Sequence, residues 1–345
     1  MPPSLVCHKD MRDKSQCTNN NHQFSEVDEN IGKKYVSKIR WPDLLAQLFV
    51  HGGGIFGIYL IFTSAKLLTA IWAIVLTYTS GFGITAGAHR LWSHRAYKAK
   101  WPLRLLLAFL FTISGQRHVY AWALDHRVHH KFSETDADPH DARRGFWFAH
   151  VGWLFLTPHP AVVACRKAID MSDLENDLIV VWQRRLYIPL FGILCLGLPV
   201  FIPWYFWKET LFNAFFISFN TRFSVTLNMA FAVNSFAHMY GQKPYDKNIM
   251  PVENLLVSVG ALGEGWHNFH HVFPWDYKTS ELGHYSFNLT TAFIDYFRRI
   301  GWAYDCKRAS AEMIRSRSQR CGDGSRPVWG YGDRDMSCSD LKLIE

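Results

Sequence analysis

Nine histidines in this chain are spaced the way metal ligands are spaced. HRLWSH supplies His89 and His94, HRVHH supplies His126, His129 and His130, and HNFHH supplies His267, His270 and His271. The last two boxes share the spacing i, i+3, i+4, which sets three imidazoles on one face of a helix. His89 and His94 are five apart, and a straight α-helix would splay them by roughly 140°. That pair needs a helix end or a bend. The ninth, His238, lies in NSFAH, with Asn234 one turn before it on the same face. The other histidines are isolated and read as structural. His140, in DADPHD, reads as an interfacial structural residue rather than a ligand.

Neutral imidazole suits zinc, copper, iron and nickel. A structural zinc takes about four ligands, so eight or nine histidines argue for two metal ions. None of the boxes carries the carboxylate of HExxH, and the Glu-x-x-His ligands of soluble di-iron bundles are absent as well. Glu264, in GEGWHNFHH, is the nearest acid and reads as support for the site. An all-histidine di-iron centre is the strong remaining option, and its natural task is oxygen activation against an unreactive C–H bond. Two electrons must then come from outside, because no GxGxxG follows a predicted strand. The HGGG at residues 51–54 sits inside an apolar run and reads as helix packing.

The elements that position these residues are apolar. Charged residues make up 19% of the 345, yet residues 44–65, 67–89, 186–207 and 223–242 contain no Lys, Arg, Asp or Glu. Each run is close to the ~20 residues that cross a bilayer. The expected fold is an all-α integral membrane protein. It has four transmembrane helices in two hairpins (about 44–65, 67–88, 186–207 and 211–233). A cytosolic helical cap (89–185 and 234–305) holds the His-rich di-iron site. Polar tails are expected at 1–40, which has no apolar signal-peptide core, and at 306–345. Residues 90–184 carry 13 Lys and Arg while each hairpin tip carries one, so the positive-inside rule puts the cap and both termini in the cytosol. The net charge of +8 fits that excess, and no nucleic-acid motif accompanies it. Seven cysteines without a CxxC read as isolated reduced thiols. A His-rich metal transporter would gather its ligands near the bilayer midplane, whereas these gather at one face.

The chain resembles the membrane acyl-CoA desaturases of the stearoyl-CoA Δ9 type. The strings that carry the resemblance are GITAGAHRLWSHRAYKA, DHRVHHKFSETDADPH, RRGFWFAHVGW, PYDKNI and GEGWHNFHHVFPWDY, and it spans residues 41–305. It implies O2-dependent insertion of a cis double bond, at Δ9, into a saturated fatty acyl-CoA in the endoplasmic reticulum membrane. It also implies two iron ions and electrons from cytochrome b5 and its NADH-dependent reductase. His89, His94, His126, His130 and His270 would hold one iron. His129, His238, His267 and His271 would hold the other, with Asn234 holding a water on it. The apolar chain would lie in a bent tunnel, ending around Ala73 and Thr77.

The match departs from the family at the substrate's polar end. Gln116 and Asp125 keep the family residue. Arg117 and Leu124 replace its Asn and Arg, Thr157 and Pro158 its basic pair, Asp43 its Asn, and Phe231 its Trp. Gln116, Arg117, Asp125 and Phe231 are therefore the expected substrate contacts. A different acyl donor, a shifted double bond, or hydroxylation by the same oxidant are the alternatives. The sequon Asn288-Leu289-Thr290 tests the sidedness: glycosylation mapping in microsomes is expected to show no sugar on Asn288, and a sugar there would overturn the topology.

Overall fold

The structure, a computed structural model, describes residues 35–281 and 285–326. The expected N-terminal tail falls outside the described residues except for 35–40, as does the C-terminal tail beyond residue 326. Helices dominate the described residues. Among them the one sheet is a two-residue antiparallel pair, Lys98–Ala99 with Ala303–Tyr304.

Among the described residues three helices are long and apolar enough to cross a membrane: Trp41–Thr63, Leu67–Ser93 and Tyr187–Trp207. Proline opens the first of them, at a position whose N–H would be unpaired anyway. Their outer faces carry large exposed apolar residues such as Leu48, Phe62, Ile74 and Ile193. Only 22% of the most apolar stretch of the first helix and 17% of the third is buried inside the protein. Such faces need hydrocarbon as their partner.

The fourth apolar run belongs to an unbroken helical stretch, residues 211–239. It is too polar to count as a span on length and composition alone, because it buries Asn213, Asn220 and Arg222 against its neighbours. Arg222 donates to the carbonyl oxygens of Ile113 at 2.5 Å and Cys195 at 2.7 Å. Cys195 lies in a π-helical turn, Phe191–Gly197, where the wider i→i+5 pattern disturbs the α-helical ladder. The guanidinium thus satisfies backbone oxygens where no water would reach them.

Short connections interlock at the far end. Lys66 Nζ donates to the carbonyls of Trp207 and Lys208, while Glu209 accepts from the Lys66 N–H and the Thr69 hydroxyl. At the opposite end lies the helical cap. The short apolar helix Trp101–Ser114 packs Leu103, Leu107 and Phe111 into the main core with Leu91, Trp92 and Tyr97. Past residue 305 the chain does not leave the cap at once. Helix Ala311–Cys321 buries Ile314 against Tyr245, Phe269 and Phe273, and Arg317 pairs with Asp246 at 2.6 Å. Cys165, Cys195 and Cys306 are free thiols. Cys321 corrects the expectation of isolated thiols: it is disulfide-bonded.

At Gly83 two helices approach closely. A Cβ there would stand 2.1 Å from the Phe111 N and 2.5 Å from the Leu110 carbonyl carbon, so backbone itself would have to move. Gly83→Ala is expected to destabilise the fold by at least about 1–3 kcal/mol, the usual range for overpacking, read as a lower melting temperature in detergent.

Candidate metal centre

His89 and His94 sit on Leu67–Ser93 and its cap, in a stretch that is π-helical from Gly83 to Ser93. The wider π turn stacks residues five apart, which the α-helical spacing could not do. The His94 N–H donates to the His89 carbonyl at 3.1 Å, and the two rings lie 4.9 Å apart. The bend that this pair requires is therefore a π segment.

The HRVHH box lies on helix Val119–Phe132. That helix starts after a turn in which Gly115 and Arg117 have φ of 75° and 66°, and the His118 ring caps it by accepting from Ala121 N–H. The HNFHH box lies on a helix of only six residues, His267–Val272, too short to hold itself. Asn268 pins it. Its Oδ1 accepts from the N–H groups of Tyr245 and Asp246, and its Nδ2 donates to the carbonyls of Asp246 and Pro251. His238 ends the fourth helical stretch, one residue before Met239.

From these four places the side chains converge into two groups. His89, His94, His126, His130 and His270 form one, and His129, His238, His267 and His271 form the other. Within each group the ligand-capable nitrogens all lie within 4.8 Å of one another. In the first group the Nε2 atoms of His89 and His270 are 2.9 Å apart, and those of His94 and His126 are 2.8 Å apart. In the second, His267 Nε2 lies 3.1 Å from the Nε2 of both His238 and His271. His140 joins neither group, although its ring centroid is 5.4 Å from that of His129.

Two buried carboxylates back the rings. His129 Nδ1 lies 2.8 Å from Asp138 Oδ1, and His89 Nδ1 lies 2.8 Å from Glu264 Oε2. A proton on Nδ1, shared with the carboxylate, leaves Nε2 with a free lone pair. His129 Nε2 is buried and has no hydrogen-bond partner, which is what a ligand atom facing a metal looks like. Burial would push the Glu264 carboxyl up, but Arg90 and then His89 outweigh it and hold it at about 2. Arg90, itself fully buried, donates to Glu264, to Asn288 and Thr291, and to the Tyr277 carbonyl. Burial first, and then the neighbouring imidazoles, hold His94, His126, His130, His267, His270 and His271 well below the ordinary imidazole value. These rings are neutral at pH 7, the form that binds metal. An all-nitrogen donor set with fixed tautomers and an unpartnered Nε2 fits two borderline transition-metal ions.

Two cavities meet at the histidines. The inner one is overwhelmingly apolar and runs past Ile84, Met229, Val233 and Leu262 to Thr77 and Gly81. The outer one is lined by Gln116, Arg117, Asp125 and Phe231. Both are lined by Trp122, His126, Ala230 and Asn234. Asp125 accepts from Arg117 and from Arg166. Burial would raise its carboxyl, but the two guanidinium groups prevail and lower it. Thr157 is tied to the entering chain: its Oγ1 lies 2.8 Å from Tyr35 Oη and accepts from the Lys38 N–H.

Sequence reasoning did not single out Asp138, Arg90 or Arg166. Asp138 carried a usable signal, an acid nine residues after His129 in a polar loop, since ligating histidines usually need such a partner. Arg166 carried none, because its contact with Asp125 joins residues 41 apart.

Comparison with known proteins agrees with this geometry. A fatty acid desaturase family model matches residues 65–293. The chain is 55% identical over 323 residues to an acyl-CoA Delta-9 desaturase of Acheta domesticus, covering 92% of this chain and 90% of that protein. It is 54% identical over 320 residues to an acyl-CoA Delta12-desaturase of the same organism, covering 91% and 90%. It is 51% identical over 285 residues to the stearoyl-CoA desaturase of Homo sapiens, covering 83% and 79%.

The imidazole shifts have a consequence for the metal-free protein. The folded rings stay neutral below the ordinary imidazole value, whereas the unfolded chain takes up protons as pH falls through that value. The unfolded state then binds more protons, so stability is full above about pH 6.5 and declines below it. Chelator-treated protein is expected to melt at a lower temperature at pH 5.5 than at pH 7.5, and an equal or higher melting temperature at pH 5.5 would contradict the assignment of neutral rings.

Proposed function

This chain belongs to the fatty acid desaturase family, and on that premise we propose that it uses O2 and two iron ions to insert a cis Δ9 double bond into the saturated chain of a fatty acyl-CoA. As an acyl-CoA desaturase it is an oxidoreductase of lipid metabolism. The observation that carries the reading is that both histidine groups line the inner cavity, His89 and His126 from one and His129 and His267 from the other, and that His126 also stands at its junction with the outer cavity. An alkyl chain threaded through that junction passes the metal centre part-way along its length.

In this reading His89, His94, His126, His130 and His270 hold one iron. His129, His238, His267 and His271 hold the second, and Asn234 holds a water on it. When bound, the irons supply the oxygen activation that an unactivated CH2–CH2 unit requires. Overall, the two hydrogens of the chain, two electrons and two protons reduce one O2 to two waters and leave the alkene. The electrons come from cytochrome b5 and its NADH-dependent reductase, since the chain has no flavin or nicotinamide motif.

The chain's own side chains bind, orient and keep the site dry. Ile84, Met229, Val233 and Leu262 exclude water around the alkyl chain. Trp122 donates from Nε1 to Gln116 Oε1 at 3.2 Å, and Gln116 donates from Nε2 to the Thr226 carbonyl at 3.3 Å. The indole, stacked 5.0 Å from the His126 ring, is thereby fixed where the two cavities meet. Asp138 and Glu264 hold the Nδ1 protons of His129 and His89. At the mouth, Arg117 and Arg166 present cationic forks suited to the phosphates of a CoA headgroup, with Asp125 orienting both and Phe231 forming apolar wall.

The proposed setting is the endoplasmic reticulum membrane, with both termini cytosolic. Residues 211–239 supply the fourth crossing, pairing the helices into two hairpins. Residues 41–305 form the desaturase domain, flanked by tails 1–40 and 306–345. The near-equal identity to a Delta-9 and a Delta12 enzyme makes Δ12 the second position to examine.

Expression in yeast lacking its own desaturase, followed by mass spectrometry of derivatised fatty acids, tests the reading. Δ9-unsaturated products are expected with the wild type and none with His130→Ala. Metal analysis is expected to find two iron per chain. Δ12 products alone would refute the position and keep the reaction class, whereas hydroxylated products alone would refute the class.

A further inference from the structure

Three elements of the cap leave large apolar side chains open. Helix Trp101–Ser114 exposes Trp101, Leu105 and Phe109, four residues apart and so on one stripe. Helix Leu178–Arg185 exposes Leu178 and Trp182, and helix Leu289–Arg299 exposes Tyr296, with Ile300 one turn on. Trp101 is 65% exposed, Trp182 54% and Tyr296 58%, too open to serve as core of the cap. Each element rests on, or leads into, a spanning helix. The backbone at Phe111 lies against Gly83 of the second long helix, and Phe293 stacks 4.6 Å from Phe82 of the same helix. Helix Leu178–Arg185 ends two residues before the third long helix begins at Tyr187. The open side chains thus border faces that hydrocarbon covers.

Cations accompany them, and several are already matched. Lys98 pairs with Asp305 at 2.9 Å, Arg104 with Asp177 at 2.8 Å and Arg298 with Asp295 at 3.3 Å. Lys100, Arg185 and Arg299 are exposed and pair with no carboxylate among the described residues. Lys100 adjoins Trp101, the Arg185 guanidinium lies 5.5 Å from the Trp182 ring, and Arg299 is one turn from Tyr296. A ring of this kind settles at the ester level of a bilayer, while a long cationic side chain beside it reaches the phosphates. A soluble acidic partner would meet the charges and leave Leu105 and Phe109 in water. Hydrocarbon alone would strand the charges. A zwitterionic headgroup carries its own cation and gains less. An anionic phospholipid satisfies the ring and the charge together.

We propose that Lys100, Arg185 and Arg299, each with its open apolar neighbour, form a collar that binds anionic phospholipids of the cytosolic leaflet and holds the cap, with its histidines, at a fixed depth. The proposal rests on the membrane reading of the long helices and not on the identity of the acyl donor.

The test uses the full-length, iron-loaded chain in phosphatidylcholine vesicles, with brominated phosphatidylserine or brominated phosphatidylcholine as quencher of tryptophan fluorescence. The attraction of one cation to an anionic surface corresponds to a roughly fivefold preference. The wild type is therefore expected to favour phosphatidylserine at low salt by at least that factor. Replacing Lys100, Arg185 and Arg299 together by Gln is expected to bring the two lipids within about twofold of each other, and high salt to do the same by screening. Trp101→Phe and Trp182→Phe are each expected to lower the share of fluorescence that the lipid quenches. Inorganic phosphate at millimolar level is expected to leave the preference in place; its displacement of the lipid would reveal a site for the free anion and overturn the collar. Iron content and melting temperature check the fold of the triple variant, and the salt series decides the matter if that variant misfolds. The proposal is also overturned if the wild type shows no preference, if the preference survives high salt, or if a folded triple variant keeps it. A chain that fails to float with the vesicles overturns the membrane reading as well; one that floats without discriminating overturns the collar alone.

Discussion

The structure depends on one constraint: nine imidazoles must share a small buried volume and turn their ligand nitrogens toward one another. Any protonated ring there would sit beside eight others in a low-dielectric interior, where like charges are costly. Neutrality alone is not enough, since a neutral ring has two tautomers and only one presents its Nε2 lone pair. Asp138 and Glu264 select it at His129 and His89 by lying 2.8 Å from Nδ1. Glu264 in turn needs Arg90, and Arg90 needs Asn288, Thr291 and the Tyr277 carbonyl. A demand made at the ring nitrogens thus propagates outward until it has fixed the second long helix against the C-terminal part of the cap.

The backbone meets the same demand by departing from the α-helix. Four π-helical segments occur among the described residues, at Gly83–Ser93, Phe148–Gly152, Phe191–Gly197 and Phe215–Thr221. The first brings His89 onto the face of His94. The third and fourth border Arg222, which binds the carbonyl of Cys195 and that of Ile113. A π turn inside a membrane would be expensive if its carbonyls had no donor, and the buried guanidinium supplies one. Arg222 is therefore part of how the helices adjoining the site can be irregular at all.

Much of this was legible in the residues. The i, i+3, i+4 spacing of HRVHH and HNFHH already put three rings on one face, and both boxes are helical. The apolar runs at 44–65, 67–88 and 186–207 correspond to helices within a few residues at their ends, apart from the second, which continues to Ser93. The fourth run was harder because its helix is held by polar contacts, so composition understates it. The spacing of five in HRLWSH announced a distortion but not its kind, since helix end, kink and π turn all satisfy it. Asp138 and Arg166 act across loops, and no periodicity reports such contacts. The HNFHH helix is held by Asn268, a residue that looks like a surface polar group in the sequence and is fully buried in the fold.

The metal centre and the mouth follow different logic, and this separates the chemistry from the choice of substrate. His129 and His89 are held from behind by Asp138 and Glu264, so a change there propagates through the core. The mouth is looser and its polar groups partly satisfy one another: Asp125 is taken up by Arg117 and Arg166, and Thr157 by Tyr35 and the Lys38 N–H. Leu124 and Pro158 add no charge there, and Arg117 and Arg166 are already paired with Asp125, so the rim can be altered residue by residue without disturbing a single histidine.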